Sequence, residues 1–363
     1  MRPEKKSQLL LGVTRSKAKM FEYGVPDEHH IHITQPPAKL LAITIGMLGD
    51  LAAAINRGGL TPQILSELKI EVIFSARFFD SYTKTKLSEE LDPYLMLLGS
   101  ASYYLCDLPG SATVLANQAT ALKPEEDPYA MGRFLRYLLA PEKFTPPDNP
   151  ANKIDEYFFD RYSLIANDYK YLFVGSPLNG FNFEFIKERI IGWAKDIRDV
   201  SYKIGGARQL LFADIIAAIV ITKIKNSAWA CLPKYSGLNL DVWYSTIAKQ
   251  GAIKEFWPAQ HLLGHANVLN GKSAIVQMPT SAGKTKATEL ILRSAFLADR
   301  VALAIIIAPF RALCHEIKNT LVEAFQNEST KVDELSDAMQ TDFELAELLG
   351  HQQILVVTPE KLL

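Results

Sequence analysis

The sequence predicts a mainly helical region, residues 1–250, followed by an α/β region with a parallel sheet, residues 251–363. Two observations predict this division. In the first region apolar residues recur at helical spacing over long segments. In the second region the apolar residues occur instead in short runs rich in β-branched side chains: 274–278, 301–308 and 354–357.

Helical patterns separate these runs, near 285–298 and 312–326, with a further predicted helix at 333–349. Such alternation is typical of βαβ units, whose parallel strands are covered by helices. Ligands of these sheets bind at the carboxyl ends of the strands. The loops that follow the three runs are therefore the candidate functional loops: 279–284, 309–311 and 358–361.

Composition places the chain among ordinary soluble globular proteins. Of its 363 residues, 48% are apolar and 22% are charged, and the formal net charge is −1, so no global basic character indicates nucleic-acid binding. Its three cysteines have no metal-ligand spacing and favour a reducing compartment. The most apolar stretch, 38–55, is interrupted by Lys39 and Asp50 and predicts a buried helix. With no targeting segment, we expect a cytoplasmic protein without a membrane partner.

Within the helical region, two prolines open a predicted helical hairpin, 93–105 and 111–122. A stretch with four prolines, 141–150, predicts a loop and a subdomain boundary. Further helices are predicted at 154–165, 183–200 and 209–225. Together with the change of pattern near residue 250, these features predict three domains: 1–140, 153–250 and 251–363.

Two features of the helical region have two interpretations each. The first twenty residues are basic, with Arg15, Lys17 and Lys19 among the cations, which suits a solvated terminus or a nucleic-acid arm. The segment 157–173 is dense in Tyr and Phe, which suits packing between helices or stacking on bases.

The strongest motif is MPTSAGKT at 278–285, between the first apolar run and a helical pattern. Backbone N–H groups of such a loop and the N-terminus of the following helix point at nucleotide phosphates. Lys284 would reach the β- and γ-phosphates, and the Thr285 hydroxyl would hold Mg²⁺. Met278 stands where the usual pattern has its first glycine. The strand-loop-helix context nevertheless predicts phosphate binding.

Two other segments imitate functional motifs. Residues 266–273 fit a relaxed phosphate-loop pattern, but they precede the apolar run, so we expect a turn there. Asp27-Glu28-His29-His30 spells an acidic D-E-x-H box, but no apolar strand precedes it. We therefore expect a turn with His29, His30 and His32 exposed, rather than a metal site.

Four segments of the second region resemble superfamily II helicases of the DExH type, related to the Ski-like enzymes. MPTSAGKT (278–285) resembles motif I, APFRAL (308–313) motif Ia and VTPEKL (357–362) motif Ib, while FWPAQ (256–260) resembles the adenine-reading Q motif. The similarity covers residues 256–363. It implies that the α/β region is a RecA-like first helicase lobe.

The resemblance implies ATP and Mg²⁺ as cofactors and single-stranded DNA or RNA as a partner. Lys284 and Thr285 would be the catalytic residues, with Thr285 as the Mg²⁺ ligand. Nucleotide contacts are expected from Gln260, Thr280, Ser281, Ala282, Gly283, Lys284 and Thr285. Nucleic-acid contacts are expected from Pro309, Arg311, Thr358 and Pro359.

Alternatives stay open at several of these positions. Phe256 or Trp257 would stack on the adenine base, or be buried against the helical region. The alternative for Arg311 is a surface charge at a helix start. Glu360 suits a helix dipole without any further role.

The sequence departs from the helicase pattern because it reaches Leu363 before any acidic motif II, and a second lobe is absent. We therefore expect the N-terminal part of a longer helicase, with an incomplete first lobe that does not hydrolyse ATP alone. The pairing of a long helical region with MPTSAGKT also resembles bacterial antiphage-defence helicases of the Hachiman type. That resemblance implies a separate nuclease subunit as a partner. The alternative function is a phosphate-loop NTPase that acts as a regulatory or scaffold protein without motor activity, and residues 1–250 would suit a protein-interaction module.

Overall fold

The computed structural model describes residues 5–32, 38–84, 93–119, 128–140, 153–173, 182–249, 251–278, 283–334 and 352–361. The chain folds into two compact units. The first comprises Met1–Tyr171 and Gly180–Lys225, and the second Leu172–Asn179 and Asn226–Leu363. The division into three domains stays a prediction.

All regular secondary structure among the described residues of the first unit is helical. Its helices are α1 (Lys5–Glu22), α2 (Ala38–Arg57), α3 (Pro62–Lys84), α4 (Pro93–Leu105), α5 (Pro109–Gln118), α6 (Tyr129–Leu139), α7 (Lys153–Phe173), α8 (Phe183–Ile204) and α9 (Ala207–Asn226). The helical periodicity of the sequence is thus confirmed, including the predicted buried helix α2 and the α4–α5 hairpin. The predicted proline-rich loop, 141–150, lies outside the described residues.

Small residues let α4 pack closely on its neighbours. A β-carbon added at Gly99 would lie 2.8 Å from Cβ of Phe79 on α3 and 2.9 Å from Cδ2 of Leu115 on α5. Ser100 Oγ donates a 2.6 Å hydrogen bond to the carbonyl of Ala112. A side chain at position 99 would therefore push Phe79 and Leu115 away from α4.

Aromatic side chains fill the centre of the first unit. Phe134, Phe158 and Trp193 lie with ring centroids 5.2–5.4 Å apart in edge-on pairs. Tyr169 is buried, and its hydroxyl donates to the carbonyl of Leu138 at 3.1 Å. For Phe158 and Tyr169, the helix-packing interpretation of the aromatic-rich segment is therefore confirmed.

Two expectations near the N-terminus need correction. Residues 5–22 form α1, which buries Leu11, Thr14 and Ala18, so this segment packs on the fold rather than being merely solvated. In the segment 27–30, His30 is buried, and its Nε2 forms a 2.7 Å hydrogen bond with the carbonyl of Val25. His29 and His32 are exposed as expected.

The second unit contains a three-stranded sheet with helices. Its elements are α10 (Ala228–Ser236), α11 (Leu240–Ile247), α12 (Pro258–His265), α13 (Lys284–Leu297), β1 (Leu303–Ile307), α14 (Arg311–Ala324), β2 (Lys331–Glu334), β3 (Gln353–Val357) and a 3₁₀ turn, Pro359–Lys361. The strands are parallel in the order β1-β3-β2, as in part of a RecA-like lobe. The predicted fold class, a helical region followed by an α/β parallel sheet, is confirmed.

One face of the sheet packs on α13 and α14. Leu292 and Phe296 of α13 and Leu321 of α14 meet Ile354 and Val356 of β3 in one buried cluster. On the other face, Ile305 and Ile307 of β1 are about half exposed (48% and 52%). Parallel sheets are usually covered on both faces, so this face is the less typical one.

The predicted strand at 274–278 is wrong. Residues 272–278 have no regular secondary structure, and the side chains of Ile275 and Val276 are exposed. A β-strand exists only where its N–H and C=O groups pair with a neighbour, and none of the described strands borders this segment.

The predicted helix 333–349 is also wrong at its start. Asp333 and Glu334 belong to β2, because Lys331–Glu334 pairs in parallel with β3. Residues 335–351 lie outside the described part.

All three cysteines, Cys106, Cys231 and Cys314, are buried and form no disulfide. Burial raises the pKa of Cys106 to about 12. Among the described residues, no helix is both long and apolar enough to cross a membrane.

Candidate nucleotide and nucleic-acid sites

The candidate phosphate loop ends at a glycine whose backbone only glycine adopts easily. Gly283 has φ +78° and ψ 43°, in the left-handed region, and it caps α13. Its carbonyl accepts the N–H of Ala287 at 2.9 Å, so the helix begins immediately. This turn aims the helix N-terminus at the space before Lys284, where an anion is stabilised.

Lys284 and Thr285 lie in the first turn of α13, and both side chains are exposed. Thr288 Oγ donates to the carbonyl of Lys284 at 3.1 Å, which steadies that turn. Thr280, Ser281 and Ala282 lie outside the described residues. The described end of the loop combines a left-handed glycine, a helix N-terminus, an exposed lysine side chain and a hydroxyl. This combination is suited to binding a nucleotide phosphate.

Gln260 lies against this loop. A β-carbon at Gly283 would be 3.3 Å from Nε2 of Gln260, so the two residues are in close contact. Gln260 is 5% exposed, and its Oε1 accepts the N–H of Trp257 at 3.0 Å at the start of α12. The structure thus brings the predicted base-reading residue to the phosphate loop, and it also gives that residue a capping role the sequence did not suggest.

For Phe256, the structure decides between stacking on a base and burial against a helix. Phe256 is 1% exposed and stacks on Tyr235 of α10 at 5.8 Å between ring centroids. Its burial against a helix leaves no face for a base. Trp257 is 38% exposed, so its ring is the accessible one.

The two other predicted loops lie side by side, because their strands are neighbours in register. Ile307 of β1 pairs with Val357 of β3, and the Ala308 N–H donates to the Val357 carbonyl at 2.9 Å. Arg311 then starts α14 and is exposed, while Thr358 is 8% exposed. Pro309 and Pro359 are both exposed at this edge.

Electrostatics also join the two loops. The pKa of Glu360 is lowered, first by a hydrogen bond from its own backbone N–H, then by the Thr358 hydroxyl and by the charge of Arg311. The charge of Arg311 thus acts on the Glu360 carboxylate of the neighbouring loop. For a polyanion bound at this edge, the Glu360 carboxylate would partly offset the positive charge of Arg311.

Phe310 is a candidate residue that the sequence reasoning missed. It caps α14, and 59% of its side chain is exposed beside Arg311. An exposed aromatic ring next to a cation is a common arrangement for stacking a base near a phosphate contact. The signal was present in the sequence, as an aromatic residue adjoining the predicted phosphate-binding arginine.

Within the described residues, no group of three or more His, Cys, Asp or Glu side chains is arranged to hold a metal ion. The assignment of the Thr285 hydroxyl as a Mg²⁺ ligand stays a prediction.

Comparisons with known proteins agree with this geometry. Residues 260–363 match the family model of DEAD/DEAH box helicases. The chain is 31% identical over 139 residues to Hachiman protein HamB of Bacillus cereus, across 38% of this chain and 12% of that protein. It is 28% identical over 128 residues to ATP-dependent DNA helicase Hel308 of Thermococcus kodakarensis, across 35% of this chain and 11% of that protein. The matched segments thus span only a small part of either relative's length, and the similarity of residues 260–363 is to DEAD/DEAH box helicases.

Proposed function

We propose that the helicase-like segment, residues 260–363, gives this chain its function as the N-terminal portion of an ATP-dependent nucleic-acid helicase or translocase. The observation that carries the proposal is the placing of three loops in one unit. The start of α13 with its left-handed Gly283 provides the nucleotide end. The loops after β1 and β3 adjoin at one sheet edge and provide the nucleic-acid end.

At the nucleotide end, Lys284 would contact the β- and γ-phosphates of ATP, and Thr285 would hold Mg²⁺. Thr280, Ser281, Ala282 and Gly283 would supply backbone N–H groups, and Gln260 would read the adenine edge with an amide that both donates and accepts. The bound cation would neutralise charge on the phosphates. These residues would bind and orient the nucleotide, whereas water activation would need acidic residues that are not among them.

At the nucleic-acid end, Arg311 would hold a backbone phosphate of a single strand of DNA or RNA. Thr358, Pro309 and Pro359 would border the same strand. Contacts of this kind position a strand without reading its sequence. The exposed ring of Phe310 would stack on a base beside the Arg311 contact.

A finer assignment follows from the relatives. We propose a DExH-type enzyme of the Ski-like group that acts in antiviral defence with a separate nuclease subunit. The support is the similarity to Hachiman protein HamB, together with the long helical region before the helicase-like segment.

The experiment is an ATPase assay on the full-length protein, with and without single-stranded DNA and RNA. We expect stimulation by at least one of them, and Lys284→Ala should abolish hydrolysis. Lys272→Ala is the matched control, since Lys272 is an exposed lysine outside the phosphate loop. Hydrolysis indifferent to both nucleic acids would overturn the motor proposal in favour of a regulatory or scaffold NTPase.

At the nucleic-acid end, two variants should change the affinity for a single strand in opposite directions. Arg311→Ala should weaken strand binding and reduce the salt dependence by about one phosphate contact. Glu360→Gln removes the charge that partly offsets Arg311, so it should strengthen binding. If the two variants change the strand affinity in the same direction, the assignment of this edge is wrong.

A further inference from the structure

A buried network of charges crosses the second unit behind the phosphate loop. At its centre are Glu289 and Arg293 of α13, which are 5% and 3% exposed. Arg293 Nε donates to Glu289 at 2.9 Å, Nη1 to Glu328 at 2.7 Å and Nη2 to the Ala324 carbonyl at 2.6 Å. Its guanidinium also lies 4.2 Å from the ring centre of Phe325. The network thus fixes the phosphate-loop helix to the end of α14.

Two lysines extend this network to the segment that precedes Gln260. Lys286, in the first turn of α13, donates to Glu289 at 2.9 Å and to the Gly251 carbonyl at 3.0 Å. Lys249 pairs with Glu328 and also donates to the Gln326 carbonyl at 3.4 Å. Both lysines therefore connect the chain around residue 250 to the helices that carry the phosphate loop and the arginine loop.

The connecting segment, residues 251–256, is fixed at its other side by backbone bonds. The Lys254 carbonyl accepts the N–H of Ala228, and the Phe256 N–H donates to the Asn226 carbonyl at 2.7 Å. Trp257 and Gln260 follow directly and begin α12. Any shift of the connecting segment relative to α13 would therefore move Gln260 relative to Gly283.

We propose that Lys249 and Lys286, acting through the Glu289–Arg293–Glu328 network, are positioning residues that keep the base-reading segment aligned with the phosphate loop. This inference rests on the proposed nucleotide site. The two lysines do not hold the phosphates themselves. They set the distance between the part of the site that contacts the base and the part that contacts the phosphates. Loss of either lysine should therefore lower the affinity for a ligand that carries a base and phosphates more than the affinity for phosphates alone.

The test compares ATP with inorganic tripolyphosphate as ligands of the full-length protein, by calorimetry well below the unfolding temperature. In Lys249→Met we expect ATP affinity to fall about tenfold while tripolyphosphate affinity changes less than about twofold. A merely structural role would change neither affinity of the folded protein, or both by the same factor. Either of those results would overturn the proposal.

Three further variants control for nonspecific effects of removing a lysine and for misfolding. Lys331→Met removes an exposed lysine of β2 and should keep the wild-type ratio of the two affinities. Lys249→Arg keeps the charge and should keep that ratio, while Glu328→Gln removes the other partner and should reproduce the loss even if Lys249→Met fails to fold.

A wrong assignment of the nucleotide site would give a different result from a wrong positioning role. Lys284→Ala should weaken both ligands; if it weakens neither, the nucleotide site itself is misassigned. If Lys284→Ala weakens both but Lys249→Met leaves the ratio unchanged, only the positioning role is wrong.

Discussion

The buried charge network makes a quantitative prediction for Arg293→Met. Methionine fills a similar volume but donates no hydrogen bond, so Glu289 would keep Lys286 as its remaining cation, and Lys286 is 43% exposed. Removing one partner of a buried ion pair typically costs about 3–5 kcal/mol. Because Lys286 stays in place and Glu328 keeps Lys249, we expect the lower end, about 3 kcal/mol.

A double variant separates the cost of an unpaired charge from the cost of lost packing. Glu289→Gln combined with Arg293→Met removes both charges, so no buried carboxylate is left with only the partly exposed Lys286 as its cation. We expect the double variant to lose only about 1 kcal/mol, less than Arg293→Met alone. Lys318→Met on α14 is the control, since the described structure shows no ion pair for that lysine.

Hydrogen exchange at the amides of α13 is the suitable assay, because it reports on this helix in a protein of more than one unit. A loss of about 3 kcal/mol corresponds to exchange about 100-fold faster at the most protected amides. Acceleration below about fivefold in Arg293→Met would refute the reasoning, as would a double variant that exchanges as fast as the single one.

Three further predictions follow from single positions. Gly283→Ala forces a β-carbon into left-handed backbone against Gln260, so ATP affinity should fall about tenfold by calorimetry; unchanged affinity would exclude this turn from the site. Phe310→Ala should weaken single-strand binding about tenfold in fluorescence anisotropy, while Phe310→Trp should keep it; equal binding by all three proteins would rule out stacking. Burial lowers the pKa of Lys254 to about 8 from 10.5, so the unfolded state binds more protons between those values and stability should rise with pH there. Lys254→Met should remove that rise from the unfolding midpoint, and a variant that keeps it would contradict the assignment.

Local patterns predicted most of the helices. Helix α13 spans Lys284–Leu297 where the sequence predicted 285–298, and α8 and α9 contain the predicted 183–200 and 209–225 segments. Periodicity suffices for these elements because a helix closes its hydrogen bonds within its own segment. The same holds for the start of α13, where Gly283 and its neighbours specify the turn.

Pairing between distant residues was not predictable in this way. The segment 274–278 has strand-like composition, yet a strand also needs a partner, and composition does not supply one. Asp333 and Glu334 looked helical by themselves but pair with β3. The capping bond of Gln260 and the burial of His30 likewise depend on neighbours that no spacing rule specifies.

The charge network was the part of the site most hidden from the sequence. Arg293 and Glu328 are 35 positions apart, and Lys249 and Glu328 are 79 apart. Charged residues without a nearby partner in the sequence are normally expected to be exposed to solvent. Only the packing of α13 against α14 shows that Glu289 and Arg293 lie inside.

The burial of Cys106, Cys231 and Cys314 has a practical consequence for measurement. Thiolate is the form that reacts with maleimides, and burial both shields these sulfurs and, for Cys106, suppresses ionisation. A single cysteine introduced on the surface should therefore accept a fluorophore selectively, with every native thiol left in place. Two dyes on a pair of such introduced cysteines, one at the end of α13 and one beside Phe310, would let energy transfer report the distance between the two candidate sites when ATP is added.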